Sequence, residues 1–163
     1  PAGPEKVYRD PRDAAGRAEF EVIRDPGKAK APPHDKGQLV VKSMVDVAPL
    51  PILGGKGNAR ILLEPQDTGS PALALDVVEW SGGAEAPRHQ HDGSAEVLYV
   101  VAGGGTLTVG SETYPFAAED AIHIPSGQPH GAKFSAGDKT IAIQFYAPAG
   151  PEQRFREKGS AKK

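Results

Sequence analysis

Three histidines and one glutamate occur at spacings that could form a metal site. His89 and His91 are one residue apart, Glu96 follows after a short gap, and His130 lies much later in the chain. On an extended segment, side chains two positions apart point to the same side, so His89 and His91 can bind the same metal ion. Neutral imidazoles with one carboxylate suit a divalent transition metal rather than calcium, with Mn or Fe favoured and Zn, Cu, Ni or Co possible. Four protein ligands would leave one or two positions of an octahedral ion open for water, dioxygen or a substrate oxygen.

A turn separates the histidine pair from the glutamate. Asp92-Gly93-Ser94 has the composition of a turn, so Glu96 would belong to a new strand whose register the turn can reset. The carboxylate can therefore face the same interior as the two imidazoles.

The surrounding chain is predicted to be all-β. Its 20 glycines and 16 prolines fall between short segments rich in Val, Ile and Leu, a pattern typical of a sandwich or barrel. The predicted strands are Leu39–Val47, Ala59–Leu63, Leu73–Trp80, the segment that carries His89, Glu96–Val101, Thr106–Val109, Glu112–Phe116, Ala121–Ile124, His130–Phe134 and Thr140–Tyr146.

Composition excludes several classes of partner. With 38% apolar residues, a mean hydropathy of −0.42 and no long apolar run, the chain predicts no membrane span. The net charge of −2 is spread over both signs, which gives no electrostatic basis for binding nucleic acid or an anionic membrane. There are no cysteines, so a disulfide framework or a thiolate metal site is impossible.

The 163 residues divide into a central domain and two tails. Residues 1–37 are polar and proline-rich and predict an N-terminal arm that is extended or partly disordered. Residues 38–148 form the predicted barrel, and residues 149–163 form a charged C-terminal tail. The first residue is Pro1 rather than Met, from which we expect an exported, extracytoplasmic protein (periplasmic or secreted), with a cytoplasmic one as the alternative.

The spacing around the metal ligands resembles the cupin superfamily. The first signature of that family is matched at every defined position by Gly83-x5-His89-x-His91-x4-Glu96-x6-Gly103. The second signature is matched by Pro125, Gly127 and His130. It departs at Glu119, where the family has glycine, and at Phe134, where it has asparagine.

The resemblance implies a small single-domain RmlC-like cupin, a double-stranded β-helix or jelly-roll barrel, with His89, His91, Glu96 and His130 as metal ligands. Phe134 replaces a group that is not a ligand, so the site should persist. A side chain at Glu119 requires some backbone adjustment. Cupins commonly pair through edge strands, so we expect a homodimer, with Leu39–Val47 as the segment that pairs.

Two functions fit these residues. The first is a metal-dependent enzyme of the oxygenase or isomerase type acting on a small oxygen-bearing molecule. Its catalytic residues are not identified by the sequence, although Gln144 could contact a ligand or the substrate if it does not lie on the outer face. The second is a non-catalytic module that binds or senses a sugar or organic acid and uses the metal for ligand binding or stability.

His123 alternates with its apolar neighbours and should face away from the pocket. Phe116, Ile122 and Phe134 are candidates for its apolar wall.

Overall fold

Residues 37–159 are described by a computed structural model and form two antiparallel β-sheets that share one core. The strands are β1 (Leu50–Ile52), β2 (Gly57–Leu63), β3 (Ala74–Trp80), β4 (Glu85–His89), β5 (Ala95–Ala102), β6 (Gly104–Val109), β7 (Glu112–Ala117), β8 (Ala121–Ile124), β9 (His130–Phe134) and β10 (Thr140–Ala147). The short helices are α1 (Pro65–Thr68) and α2 (Arg154–Gly159), and 3-10 turns cover Met44–Asp46, Leu53–Gly55 and Pro151–Gln153. No helix in this part of the chain is long and apolar enough to cross a membrane.

The strand order is that of a jelly roll, as predicted. One sheet has six strands in the order β1-β2-β3-β10-β5-β8, and the other has four in the order β4-β9-β6-β7. Strand β10 lies between β3 and β5, so residues near the end of the barrel stand beside residues much earlier in the chain. Gln144 is aligned with both Asp76 and Leu98.

Alternation along the strands explains which residues form the core. On β3 every second residue is buried, beginning with Ala74 and ending with Trp80, as expected for a strand with one inner face. The four-stranded sheet contributes Leu107 and Phe134 to the same core. The Trp80 and Phe134 rings are stacked with centroids 4.3 Å apart. Phe134 thus replaces the family's polar residue with an apolar contact between the two sheets.

The prediction of a strand over Leu39–Val47 is wrong. That segment contains only the 3-10 turn Met44–Asp46, and Leu39 and Val41 are 94% and 88% exposed. The six-stranded sheet ends at β1, which pairs only with β2, and the earlier segment pairs with no strand of either sheet. The prediction for the arm falls almost entirely on residues 1–36, outside the described residues.

Glu119 accommodates its position by adopting the left-handed conformation. Its φ is 76°, and its backbone N–H donates to the Val100 carbonyl at 2.8 Å. The fold therefore keeps the backbone geometry that glycine adopts freely, at the cost that an L side chain incurs there.

Candidate metal centre

Strands from both sheets bring the four predicted ligands together. His89 ends β4 and is aligned with His130 at the start of β9, while His91 follows β4 and Glu96 lies on β5. One ligand atom from each of the four residues lies within 4.8 Å of the others. A turn at residues 92–93 separates His91 from the strand that carries Glu96, as predicted.

Backbone contacts orient two of the imidazoles. Nδ1 of His89 lies 2.8 Å from the Pro87 carbonyl, and Nδ1 of His130 lies 2.8 Å from the Gln128 carbonyl. A carbonyl only accepts, so each Nδ1 carries a proton, and in the neutral imidazole Nε2 then carries the lone pair. Both Nε2 atoms are therefore available as metal ligands.

The unsatisfied atoms of this cluster fit a metal. Nε2 of His89 is buried and has no hydrogen-bond partner among the described residues, and Nε2 of His130 makes only a 3.3 Å contact with Glu96 Oε2. Nε2 of His91 lies 2.9 Å from the same oxygen. A buried lone pair without a donor is costly unless an ion or water occupies the space it faces. Three imidazole nitrogens and one carboxylate oxygen that lie within 4.8 Å of one another form a borderline donor set that suits a divalent transition metal.

The electrostatics keep Glu96 and His89 in their binding forms, whereas at His130 burial is outweighed by the contact with Glu96, which raises the pKa of that imidazole. Burial alone would raise the pKa of Glu96, but the contacts with His130 and His91, together with the charge of Arg154, lower it. Burial and then Arg154 lower the pKa of His89 to about 4. Near neutral pH the carboxylate is thus charged and His89 is neutral, the states that a metal requires.

Gln144 lies on the inner face of β10 and holds the carboxylate in place. Its side chain is buried, and its Nε2 donates to Glu96 Oε1 at 2.5 Å. Such contacts orient a ligand and tune its basicity. His123, by contrast, is exposed and faces away from the cluster.

A mainly apolar cavity of about 190 Å³ adjoins the ligands. His89, Glu96 and His130 line one part of it, and the predicted wall residues Phe116, Ile122 and Phe134 also line it. An apolar cavity of about 150 Å³ holds a benzene molecule. This cavity therefore has room for one substituted ring or an aliphatic molecule of similar size.

Arg154 reaches the ligand cluster from the C-terminal segment, which the sequence indicated only as a charged tail. Its NH1 lies 3.1 Å from His91 Nε2, and its NH2 donates to the Tyr146 hydroxyl at 2.8 Å. Phe155 is the single aromatic residue of that tail, and it was the signal that the segment packs on the barrel. It is 5% exposed and belongs to the core.

Asp76 is a second buried carboxylate that the sequence analysis did not single out. It shares the inner face of β3 with Val78, its exposed fraction is 0%, and neither carboxylate oxygen has a hydrogen-bond partner among the described residues. Burial, and then the charge of Glu152, raise its pKa from 3.8 to about 8. Its place in the alternation of β3 was a signal that could have identified it.

The fold and the site together define the class of protein. Residues 76–143 match the family model described as the Cupin domain. This match confirms the resemblance, and the matched part of the chain is a cupin domain.

Three known proteins illustrate the similarity. The polyketide synthase CurC of Streptomyces cyaneus is 28% identical over 97 residues, which cover 59% of this chain and 62% of that relative. An RmlC-like cupin from Shewanella frigidimarina has a TM-score of 0.60 at 22% identity, covering 71% of this chain and 96% of that one. The polyketide cyclase RemF from Streptomyces resistomycificus has a TM-score of 0.60 at 23% identity, covering 70% and 82%. At these identities the two structural similarities show the fold alone.

Proposed function

We propose that this cupin is a metal-dependent enzyme that acts on a small, largely apolar, oxygen-bearing molecule, with oxygenase chemistry favoured over isomerase chemistry. The observation that carries the proposal is the position of the four-residue cluster on the wall of an apolar cavity large enough for one ring. A divalent transition metal bound there would supply Lewis-acid chemistry and, if it is redox-active, electron transfer.

The chain's own side chains perform the remaining tasks. Gln144 orients Glu96, and Trp80, Phe116 and Phe134 exclude water and bind the apolar part of the molecule. The charged or titratable residues that line the cavity are Arg88, Arg154 and three of the four predicted ligands, namely His89, Glu96 and His130. Isomerisation needs a base beside the substrate, whereas oxygenase chemistry does not, so this lining favours the oxygenase.

Metal content and oxygen consumption test the proposal. Untagged protein is analysed for metals, then stripped, reconstituted anaerobically with Mn, Fe, Cu or Zn, and exposed to oxygen with one-ring diketones and catechols. We expect turnover with a redox-active metal, its loss in Glu96→Ala, and its retention in the control His123→Ala, which changes an exposed histidine. Less than about a tenth of an equivalent of metal after reconstitution would contradict the proposal at its first step.

A non-catalytic binding module is the second candidate, and the same scarcity of acid and base groups supports it. Absence of turnover with every metal, combined with metal-dependent binding of a sugar or organic acid, would favour the module.

The names of CurC and RemF suggest a polyketide substrate. A cavity of about 190 Å³ has room for one ring, so we favour a one-ring substrate.

We also propose a homodimer, with a different contact surface from the one predicted. The outer face of β5 carries Val97, Tyr99 and Val101, which are 36%, 43% and 48% exposed. Contiguous apolar side chains on an uncovered sheet face are typical of protein interfaces. Light scattering should give a dimer for the wild type and a monomer for Tyr99→Lys. A monomeric wild type at micromolar concentration would remove the proposal.

A further inference from the structure

The C-terminal segment holds Arg154 in a fixed position at the cavity. Residues on either side of it are anchored, because Glu152 is fully buried and Phe155 packs in the core. Arg156 pairs with Glu64, and Gln153 donates to Glu64 at 2.7 Å. The guanidinium is therefore part of the cavity wall rather than the end of a loose tail.

The partners of the Arg154 guanidinium are neutral. It contacts an imidazole nitrogen of His91 and the hydroxyl of Tyr146, and it lies over the rings of Tyr146 and Phe155. No carboxylate among the described residues forms an ion pair with it. A partly buried guanidinium without an anionic partner is suited to binding an anion.

Metal binding would free one donor of this guanidinium. A metal bound to His91 Nε2 would occupy the lone pair of that nitrogen, so NH1 of Arg154 would have no acceptor there. A divalent ion with Glu96 as its one anionic ligand has a net charge near +1, and Arg154 adds a second positive charge close by. An anionic oxygen placed next to both would satisfy the freed donor and offset the two charges.

We propose that the substrate carries a carboxylate that is bound between the metal and Arg154, with its apolar body against the aromatic wall of the cavity. This inference rests on the proposed function, because it names the chemical class of the molecule that the site accepts. It also predicts that metal and carboxylate strengthen each other's binding, because each is favoured by the charge of the other.

Zinc affinity, measured with and without a carboxylate probe, tests the inference without turnover. Zn²⁺ is titrated into the metal-free full-length protein against a chromophoric chelator, alone, with phenylacetate, or with its neutral analogue phenylacetamide. We expect phenylacetate to raise the Zn²⁺ affinity of the wild type roughly tenfold, and phenylacetamide to change it less than about twofold.

Variants identify the residue responsible. In Arg154→Gln, the effect of phenylacetate should fall below about twofold, while the Zn²⁺ affinity without probe should rise because a nearby positive charge is gone. Arg154→Lys, which keeps the charge, should retain part of the effect. Lys133→Gln, which removes a positive charge from a side chain that is 75% exposed, is the control and should behave as the wild type.

Three results would overturn the inference: equal effects of the acid and the amide on the wild type, no effect of either, or an undiminished acid effect in Arg154→Gln. The first two need no variant to fold.

The outcomes also separate the two proposals. If phenylacetate raises the Zn²⁺ affinity but no substrate is turned over, the carboxylate site is supported and the enzymatic function is contradicted. If a neutral substrate is turned over and phenylacetate has no effect on the Zn²⁺ affinity, the enzymatic function is supported and the carboxylate site is contradicted. A wild type that binds no Zn²⁺ overturns both.

Discussion

Glu96 and Asp76 are both buried carboxylates on the inner face of the six-stranded sheet, yet their pKa values move in opposite directions. Glu96 contacts two imidazoles and the Gln144 amide, and its pKa is lowered. Asp76 has no hydrogen-bond partner among the described residues, and its pKa rises to about 8. Burial raises the pKa of both carboxylates, so the hydrogen-bond donors and positive charges around each one decide whether it stays ionised.

Gln144 is a neighbour of both carboxylates, and its two side-chain polar atoms differ in the same way as they do. Gln144 is aligned with Asp76 across β3 and β10, and its Oε1 lacks a donor among the described residues. The Gln144 amide thus faces Glu96 with its nitrogen, while its oxygen has no donor. A protonated Asp76 would bring a hydrogen-bond donor to this part of the core, which agrees with its raised pKa.

Changing Asp76 should have the largest effect on stability. Because its pKa is raised in the folded state, the folded protein holds a proton that the unfolded chain releases above about pH 4, so unfolding becomes easier as the pH rises from about 4 to about 8. At about 1.36 kcal/mol per pH unit, this change amounts to up to about 5 kcal/mol. Asp76→Asn, which resembles the protonated form, should raise the free energy of unfolding of the metal-free protein at pH 8.

Urea unfolding at pH 5 and pH 8 in the presence of a chelator measures this effect. The exposed Asp92→Asn is the control and should leave the pH dependence unchanged. If Asp76→Asn has the same pH dependence as the wild type, Asp76 is ionised in the fold and the contrast with Glu96 fails.

Glu96→Ala should have the largest effect on the metal. It removes the anionic ligand of the cluster, so we expect a loss of about a thousandfold in Zn²⁺ affinity. Asp76→Asn is the matched control, because it changes a buried carboxylate outside the cluster and should alter the affinity less than about threefold. Competition with a chelator measures both variants. Equal losses of Zn²⁺ affinity in the two variants would mean that Glu96 and Asp76 contribute equally to metal binding.

Gln144→Leu should have a smaller effect on the same measurement. It removes the donor to Glu96 Oε1 without removing a ligand, and loss of such a contact typically costs 10- to 100-fold in metal affinity. Gln90→Leu changes an exposed amide beside the ligands and should be neutral. An unchanged affinity in Gln144→Leu would show that the histidine contacts alone keep Glu96 in position.

The sequence predicted the ligand cluster better than its surroundings. Spacing on strands and a turn was enough to bring His89, His91 and Glu96 together, because these depend on short-range geometry. The inward position of Gln144 was left open, since Ile141, Ile143 and Phe145 on the opposite side of β10 are more apolar than the residues that are buried. Hydrophobicity alone therefore favoured the wrong face of that strand.

Arg154 and Leu39–Val47 show why the remainder could not be predicted. The contact between Arg154 and His91 exists only because the segment after β10 folds back onto the barrel, which no local pattern encodes. The apolar segment Leu39–Val47 has the composition of a strand, but a strand also needs a partner, and the six-stranded sheet ends at β1 instead. Pairing of this kind depends on contacts between distant parts of the chain and cannot be read from the composition of one segment.

Glu119 is a third carboxylate, exposed at the surface, for which backbone conformation rather than solvation sets the cost. Its φ of 76° is unfavourable for a residue with a side chain by about 1 to 2 kcal/mol, and glycine removes this cost while adding some entropy to the unfolded chain. Glu119→Gly should therefore raise the free energy of unfolding by about 0.5 to 1 kcal/mol at every pH. Glu119→Gln keeps the strained backbone and should have no effect, which separates conformation from charge. Urea unfolding measures both variants. A stabilised Glu119→Gln would mean that the carboxylate charge, as at Asp76, carries the cost after all.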